Sequence, residues 1–439
     1  MNRRHFIKKS SLVLPALLLP AIKPLQKLDA MATDRENKIA IIGAGVSGLY
    51  MAKLLLAKGY DVTVFEAQNR IGGRVKGGTF REEKIDLGGQ WLHHVKGLAN
   101  SLTAILKQSG QQYTLDDNET NTTLFYGEKI INDIPRNLIQ FFTYLENTDF
   151  PTDQPLSVTI NAFSKDPELK NLIDSTLADL AASSEDVSTK EFIRQMKSSD
   201  TVDYLLNNRT MYDFISSYFS DIPKERIKLS SPINRIEYKQ DSVKLSTQGG
   251  STHLCNKVII SVPISQLQNN SLTFSPSLPE RKVAAFHKIG IRKGLKMFIF
   301  FDRSILSNGT FNNRYAPYYL QQKVGPYYAI VSLLMGNFAT AYYNDTMTYR
   351  TNVIKELSKI TKINLSSHIV GSVFQDWGNE PFIEGAYSFP LPDEGNARIV
   401  AVEPVKDTLF FIGEAMHPQN GYGFIHGAMD TALSLNKKF

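Results

Sequence analysis

At 439 residues, 42% hydrophobic and 21% charged, the chain has the balance of a folded globular protein with room for two or three domains, which excludes disorder as the default. A net charge of +6 invites a nucleic-acid or anionic-membrane partner. Within residues 1–32, however, Arg3, Arg4, Lys8, Lys9, Lys23 and Lys27 stand against Asp29 alone, so the body is close to neutral and no nucleic-acid surface is expected.

Residues 1–32 read as a leader: a basic start, an apolar run from Leu12 to Ile22 broken by Pro15 and Pro20, and Ala30-Met31-Ala32 as a cleavage site. The run is shorter than the roughly 20 apolar residues that a spanning helix takes. Arg3-Arg4-His5-Phe6-Ile7-Lys8 is similar to the twin-arginine signal of the bacterial route for folded proteins. The expectation is a periplasmic or secreted protein handled by the twin-arginine export machinery. Cys255 is the sole cysteine, so no intrachain disulfide and no stable membrane anchor through a lipidated cysteine are expected.

From Lys38 the pattern changes to a strand (Ile39 to Ile42), a glycine turn, a helix-period stretch (Leu49, Ala52, Leu55, Leu56) and a second strand from Val62 to Phe65. This is a βαβ opening. Between about Leu98 and Ser220 the apolar spacing is mostly helical, as in Leu138, Phe141, Phe142 and Leu145 or Leu169, Leu172, Ile173 and Leu177. Ser188-x-x-Glu191 reads as a capping box. Short runs return at Ile227 to Leu229, Ile233 to Tyr238, Val243 to Leu245 and Val258 to Ile260, and these are expected to resume the sheet begun at Ile39. Residues 295–301, 327–334 and 369–376 look like a second sheet; Leu409 to Ile412 looks like a last strand before a helix from about Gly423.

Gly43-Ala44-Gly45-Val46-Ser47-Gly48 is GxGxxG between strand and helix. Gly43 permits the turn, Gly45 lets the backbone approach a pyrophosphate, and Gly48 lets the helix pack on the strand, with the helix N-terminus facing the phosphate. Glu66, at the end of the second strand, is placed to bind a ribose hydroxyl. Arg70-Ile71-Gly72-Gly73-Arg74 and Asp86-Leu87-Gly88-Gly89-Gln90-Trp91-Leu92-His93 follow. The two guanidinium forks can hold diphosphate oxygens or a flavin edge, and the paired glycines let the chain approach a flat ring.

This order of motifs, closed by Phe411-Ile412-Gly413-Glu414-Ala415 and by Gly421 to Ala428, resembles the flavin amine oxidase family, which includes monoamine, polyamine and L-amino-acid oxidases. The resemblance covers residues 38–435, although the helical insertion carries no matching motif. It implies an α/β fold in which a Rossmann-like FAD-binding domain (33–95, 221–285 and 400–439) is interleaved with a mixed-sheet and helical substrate domain (96–220 and 286–399).

The resemblance also implies the site. FAD contacts are expected from the glycines at 43, 45, 48, 73, 88 and 89, with Glu66, Arg70, Arg74, Gln90 and Trp91. The later contacts are Ile233, whose backbone meets the adenine side, Trp377, the Gly413-Glu414 pair, and Ile425 in the helix aimed at the flavin pyrimidine. Lys296 matches the lysine that holds a water beside flavin N5, with Lys288 and Lys293 as nearby alternatives. Tyr387 and Phe424 match the two aromatic positions flanking the substrate amine, Phe departing from the commoner Tyr or Trp. Ala386 stands where some monoamine oxidases attach flavin through cysteine, so the FAD is expected to be non-covalent.

Adjacent His93 and His94 point to opposite faces of a strand, and no metal site is expected. L-amino-acid oxidases put arginine where this chain has Trp91, which favours a monoamine or polyamine over an amino acid. The expected reaction moves hydride from the amine α-carbon to flavin N5, with oxygen reduced to hydrogen peroxide. A desaturase-like flavoprotein or a flavin-binding protein without turnover are the readings of another class, separated from this one by peroxide release on amine addition.

Overall fold

The computed structural model describes residues 38–95, 100–116, 124–126, 129–131, 134–177, 180–198, 201–306, 320–419 and 421–439; the leader expected at 1–32 lies outside them. The fold is α/β around a five-stranded parallel sheet with strand order Ile227–Lys228, Asp61–Phe65, Lys38–Ile42, Lys257–Ile260, Leu409–Phe411. Its strands come from three separate stretches of chain.

The central strand is buried on both faces, which is why it reads as a continuous apolar run. Ile39 and Ile41 pack with Leu49, Ala52 and Leu55 of helix Val46–Ala57 and with Met429 and Ala432 of helix Ile425–Asn436. Ala40 and Ile42 face the other way, into a core with Ile233, Ile236, Leu245 and Phe286. Full burial of each such side chain contributes about 1.5–3 kcal/mol, so both layers are firmly attached to the sheet.

Strands Ile233–Lys239 and Ser242–Thr247 do not rejoin the parallel sheet as expected. They form, with Thr252–Cys255 and Thr273–Ser275, a separate four-stranded sheet laid on it. The reason is visible in the burial: these strands alternate buried and exposed residues, the pattern of a sheet with one wet face, whereas Val258 to Ile260 is buried throughout. Of the runs between 227 and 260, Ile227–Lys228 and Lys257–Ile260 rejoin the first sheet.

The second expected sheet is present. Gly294–Phe301 lies between Tyr327–Met335 and Ile369–Asp376, with Leu320–Val324 at the edge. The helices Arg136–Asn147, Leu156–Phe163, Pro167–Leu177 and Thr189–Ser198 make the insertion, and Leu138, Phe141, Leu145, Leu169, Leu172, Ile173 and Leu177 meet in its core. Half of the capping box forms: Ser188 Oγ accepts the Glu191 N–H at 2.9 Å, while the Glu191 carboxylate turns to Arg194. Among the described residues no helix is long and apolar enough to cross a membrane.

Candidate active site

The turn after the first strand holds Gly43 at φ 107°, a left-handed backbone that strains any residue with a Cβ. A Cβ on Gly48 would stand 2.1 Å from the Gly43 carbonyl oxygen, whereas one on Gly45 would enter open space. The loop therefore packs tightly beneath and leaves a cradle above. Ser47, next to Gly48 at the start of helix Val46–Ala57, has a buried Oγ with no hydrogen-bond partner. At the end of strand Asp61–Phe65 the Glu66 carboxylate accepts the Ala44 N–H at 2.6 Å and the Gln68 N–H at 2.8 Å. Burial pushes that carboxyl up, against the two N–H groups and the Arg70 charge.

These groups border a cavity of about 650 Å³. Every residue expected in the site borders it except Gly48, which has the packing role just described, and Arg70. Arg70 is a correction. Its guanidinium donates to the Gly73 carbonyl at 2.8 Å and pairs with Glu380 at 3.3 Å, and Glu380 also takes Lys76 at 2.9 Å. Burial raises the Glu380 carboxyl, but Lys76, Gln375 and Arg70 outweigh it and hold the group at about 2. Arg70 thus clamps the 70–74 turn to the 377–385 segment; its charge answers a carboxylate and not a diphosphate.

Arg74 does reach the cavity, where it donates to the Ala386 carbonyl and to Glu414, both at 2.8 Å. Glu414 is a buried hub that also accepts the Ser388 hydroxyl and the Gly423 N–H at 2.7 Å each. Burial pushes its carboxyl up, yet Arg74, Ser388, Gly423 and Arg398 together hold it below the ordinary carboxylate value. Behind it, Arg398 forks onto Glu394 and donates to Ser388 Oγ at 2.9 Å.

Lys296 lies in a strand that is buried along its whole length and is itself 1% exposed. Its ammonium donates to the carbonyls of Asp86 at 2.8 Å and Gly88 at 3.1 Å and to Gln90 Oε1. It is thereby tied to the segment whose glycines approach the cavity: a Cβ on Gly88 would stand 2.0 Å from the Arg74 carbonyl oxygen. Burial drives the ammonium down to about 7 against the pull of Asp86. Lys288 and Lys293, the sequence alternatives, are exposed.

At the substrate end, Gly423 at φ 79° brings the backbone so close to Tyr387 that a Cβ would meet the ring at 3.2 Å. Phe424 follows, its ring 4.5 Å from His93 and stacked on His426 at 5.2 Å. The helix expected from about Gly423 begins at Ile425. Trp91 donates its Nε1–H to Asp116 at 2.8 Å and Trp377 donates to the Leu87 carbonyl at 3.3 Å.

Sequence reasoning missed the rest of this wall: Asp203, Gln195, Leu180, Leu333, Met335 and Tyr422. His93 Nδ1 lies 2.6 Å from Asp203 Oδ1, because strands Leu92–Val95 and Thr201–Leu206 pair with these two residues in register. Gln195 comes from the insertion and donates to the Tyr422 hydroxyl. An acidic residue in an otherwise apolar strand was the one sequence signal for Asp203. Among the described residues no group of three or more His, Cys, Asp or Glu is arranged to hold a metal.

The family model for flavin-containing amine oxidoreductases matches residues 46–434. The chain belongs to that family. Members similar to it include polyamine oxidase 4 of Oryza sativa subsp. japonica, 24% identical over 97% of this chain and 91% of the relative. A probable polyamine oxidase 4 of Arabidopsis thaliana is 25% identical over 92% and 86%. Among solved structures, putrescine oxidase bound to putrescine superposes with a TM-score of 0.77 at 18% identity, over 92% of this chain and 98% of that one. The family's flavin fits this site: the open cradle at Gly45, the unpartnered Ser47 Oγ and the Glu66 carboxylate are what a dinucleotide would engage.

Proposed function

We propose that the protein is an FAD-dependent oxidase of primary or secondary amines, taking monoamines or polyamines, with diamines and polyamines favoured. The observation that carries this is the polarity of the substrate end of the cavity. It offers the rings of Trp91, Tyr387 and Phe424 and one carboxylate, Asp203. The two cations that border the cavity are engaged, Arg74 with Glu414 and Lys296 with three oxygens. An amino-acid substrate would bring a carboxylate to a wall without a cation to receive it, at a large desolvation cost. An amine held between aromatic faces fits.

Bound non-covalently, since Ala386 offers no thiol, FAD takes hydride from the amine α-carbon at N5 and passes the electrons to oxygen, giving hydrogen peroxide and an imine that hydrolyses to a carbonyl. The chain's own residues position the partners. Lys296 fixes the 86–90 segment and places positive charge there, Glu414 holds Arg74 at the cavity wall, and Asp203 with His93 receives a second ammonium. The polyamine and putrescine oxidases among the relatives support this substrate class. A peroxide-coupled screen against putrescine, spermidine, aromatic monoamines and amino acids tests it: peroxide with the amines is expected, and a response confined to amino acids would overturn it.

Asp203→Asn should raise KM for putrescine by about 10- to 100-fold, the range for a charge-assisted hydrogen bond of about 1.5–3 kcal/mol. Oxidation of a monoamine without a second charge should be little changed. Equal losses for both substrates would mean that Asp203 supports the fold and not the distal amine.

We further propose export through the twin-arginine route to the periplasm or beyond, supported by Arg3-Arg4-His5-Phe6-Ile7-Lys8 and the apolar run behind it. Replacing Arg3 and Arg4 by lysine should retain cofactor-loaded protein in the cytoplasm. Undiminished periplasmic accumulation of that variant would rule the route out.

A further inference from the structure

One buried polar group at the cavity is used neither by the fold nor by the reaction. Gln266 lies in the short helix Ile264–Gln268, directly after the parallel strand Lys257–Ile260. It borders the cavity, is 5% exposed, and has a buried Nε2 with no hydrogen-bond partner. An amide donor shut away from both water and acceptor costs the fold stability.

Its neighbours locate it at the Glu66 end of the cavity. Ile264 and Leu267 pack in one core with Phe65, Ile233 and Leu272, and Ser265 Oγ donates to the Ile383 carbonyl at 2.5 Å. The segment beginning at Pro381 is tied in turn to Glu66: Gln68 Nε2 donates to the Pro381 carbonyl at 3.1 Å, and the Gln68 N–H donates to the Glu66 carboxylate at 2.8 Å. Within that segment Phe382 and Glu384, which both border the cavity, sit at φ 64° and 52°. Left-handed backbone is strained for such residues and collects at ligand clamps.

We infer that Gln266 is an adenine-binding residue, its amide donating to a ring nitrogen of the adenine of bound FAD. Phe65, Ile233, Leu272 and Phe382 supply apolar wall for a purine, and the glutamine supplies the donor that a purine nitrogen needs, the complementarity by which Asn and Gln read adenine elsewhere. The inference rests on FAD being the cofactor. It makes the loss of hydrogen bonding at Gln266 a property of the empty site that the nucleotide relieves.

The test uses full-length protein freed of FAD, titrated with FAD and with FMN, which lacks the adenylate half, for wild type, Gln266→Leu and Gln266→Met. Both variants should bind FAD about tenfold more weakly, equivalent to about 1.4 kcal/mol, with FMN binding unchanged. Their cofactor-free forms should unfold at or above the wild-type temperature, because the orphaned donor is gone. A glutamine that serves only the fold gives the opposite pattern, a less stable apoprotein with equal losses for FAD and FMN, and that result overturns the inference. Unchanged FAD affinity in both variants overturns it too while leaving the cofactor reading intact. A wild type that binds no FAD removes both.

Discussion

Lys296→Met is expected to slow oxygen-dependent reoxidation by about 10²-fold while FAD stays bound. The ammonium is the buried cation nearest to the 86–90 segment, held there by Asp86, Gly88 and Gln90. A preorganised charge in a site without water acts on developing negative charge far more strongly than it would in solvent, and about 3 kcal/mol of such stabilisation corresponds to about 10²-fold in rate. Methionine keeps the length of the side chain and removes the charge with its three donors. Stopped-flow absorbance separates the half-reactions, bleaching by amine and recovery with oxygen, and the loss should fall on the second. Lys288→Met, at an exposed position, should change neither. Unchanged rates for Lys296→Met in both halves would make Lys296 a buried structural lysine and no more.

Glu414→Ala should cost stability and cofactor together. The substitution strips Arg74 of its partner and removes the acceptor for Ser388 Oγ and the Gly423 N–H. Removing one member of a buried ion pair typically costs about 3–5 kcal/mol, since it leaves a charge without compensation. Because the Gly423 bond sets the approach of the backbone to Tyr387, the aromatic wall should loosen as well. The pH dependence has a definite sign. A carboxyl held below its ordinary value stabilises the fold fully above the unfolded-state pKa and loses that contribution as pH falls through the depressed value. Wild type should therefore lose stability in acid over a range in which Glu414→Ala is flatter. Denaturant unfolding with a count of bound flavin checks both statements; a variant as stable and as yellow as wild type would remove Glu414 from the account.

What the sequence revealed was local. The glycine turn, the doubly buried run Val258 to Ile260 and the lone lysine of an apolar strand are each written within a few residues, by turn chemistry, period and burial. The errors concern partners far apart in the chain. Arg70 and Glu380 are brought together by tertiary packing, and no spacing rule announces that an arginine of the cofactor motif will be spent on a carboxylate. His93 was noticed and Asp203 was not, because their pairing depends on the register of two strands separated by the first helices of the insertion. The four-stranded sheet around Ile233–Lys239 was misassigned although its alternation differed from the continuous burial of the parallel strands. That misreading was avoidable, since the period of a strand states how many of its faces are dry.

The most direct test of the central claim is the visible spectrum of the purified protein mixed with putrescine in the absence of oxygen and then exposed to air. An FAD-dependent amine oxidase should be yellow at the start, bleach on addition of the amine, and recover its colour with release of hydrogen peroxide when oxygen enters. A yellow protein whose spectrum is untouched by putrescine, spermidine and aromatic monoamines alike would contradict the account.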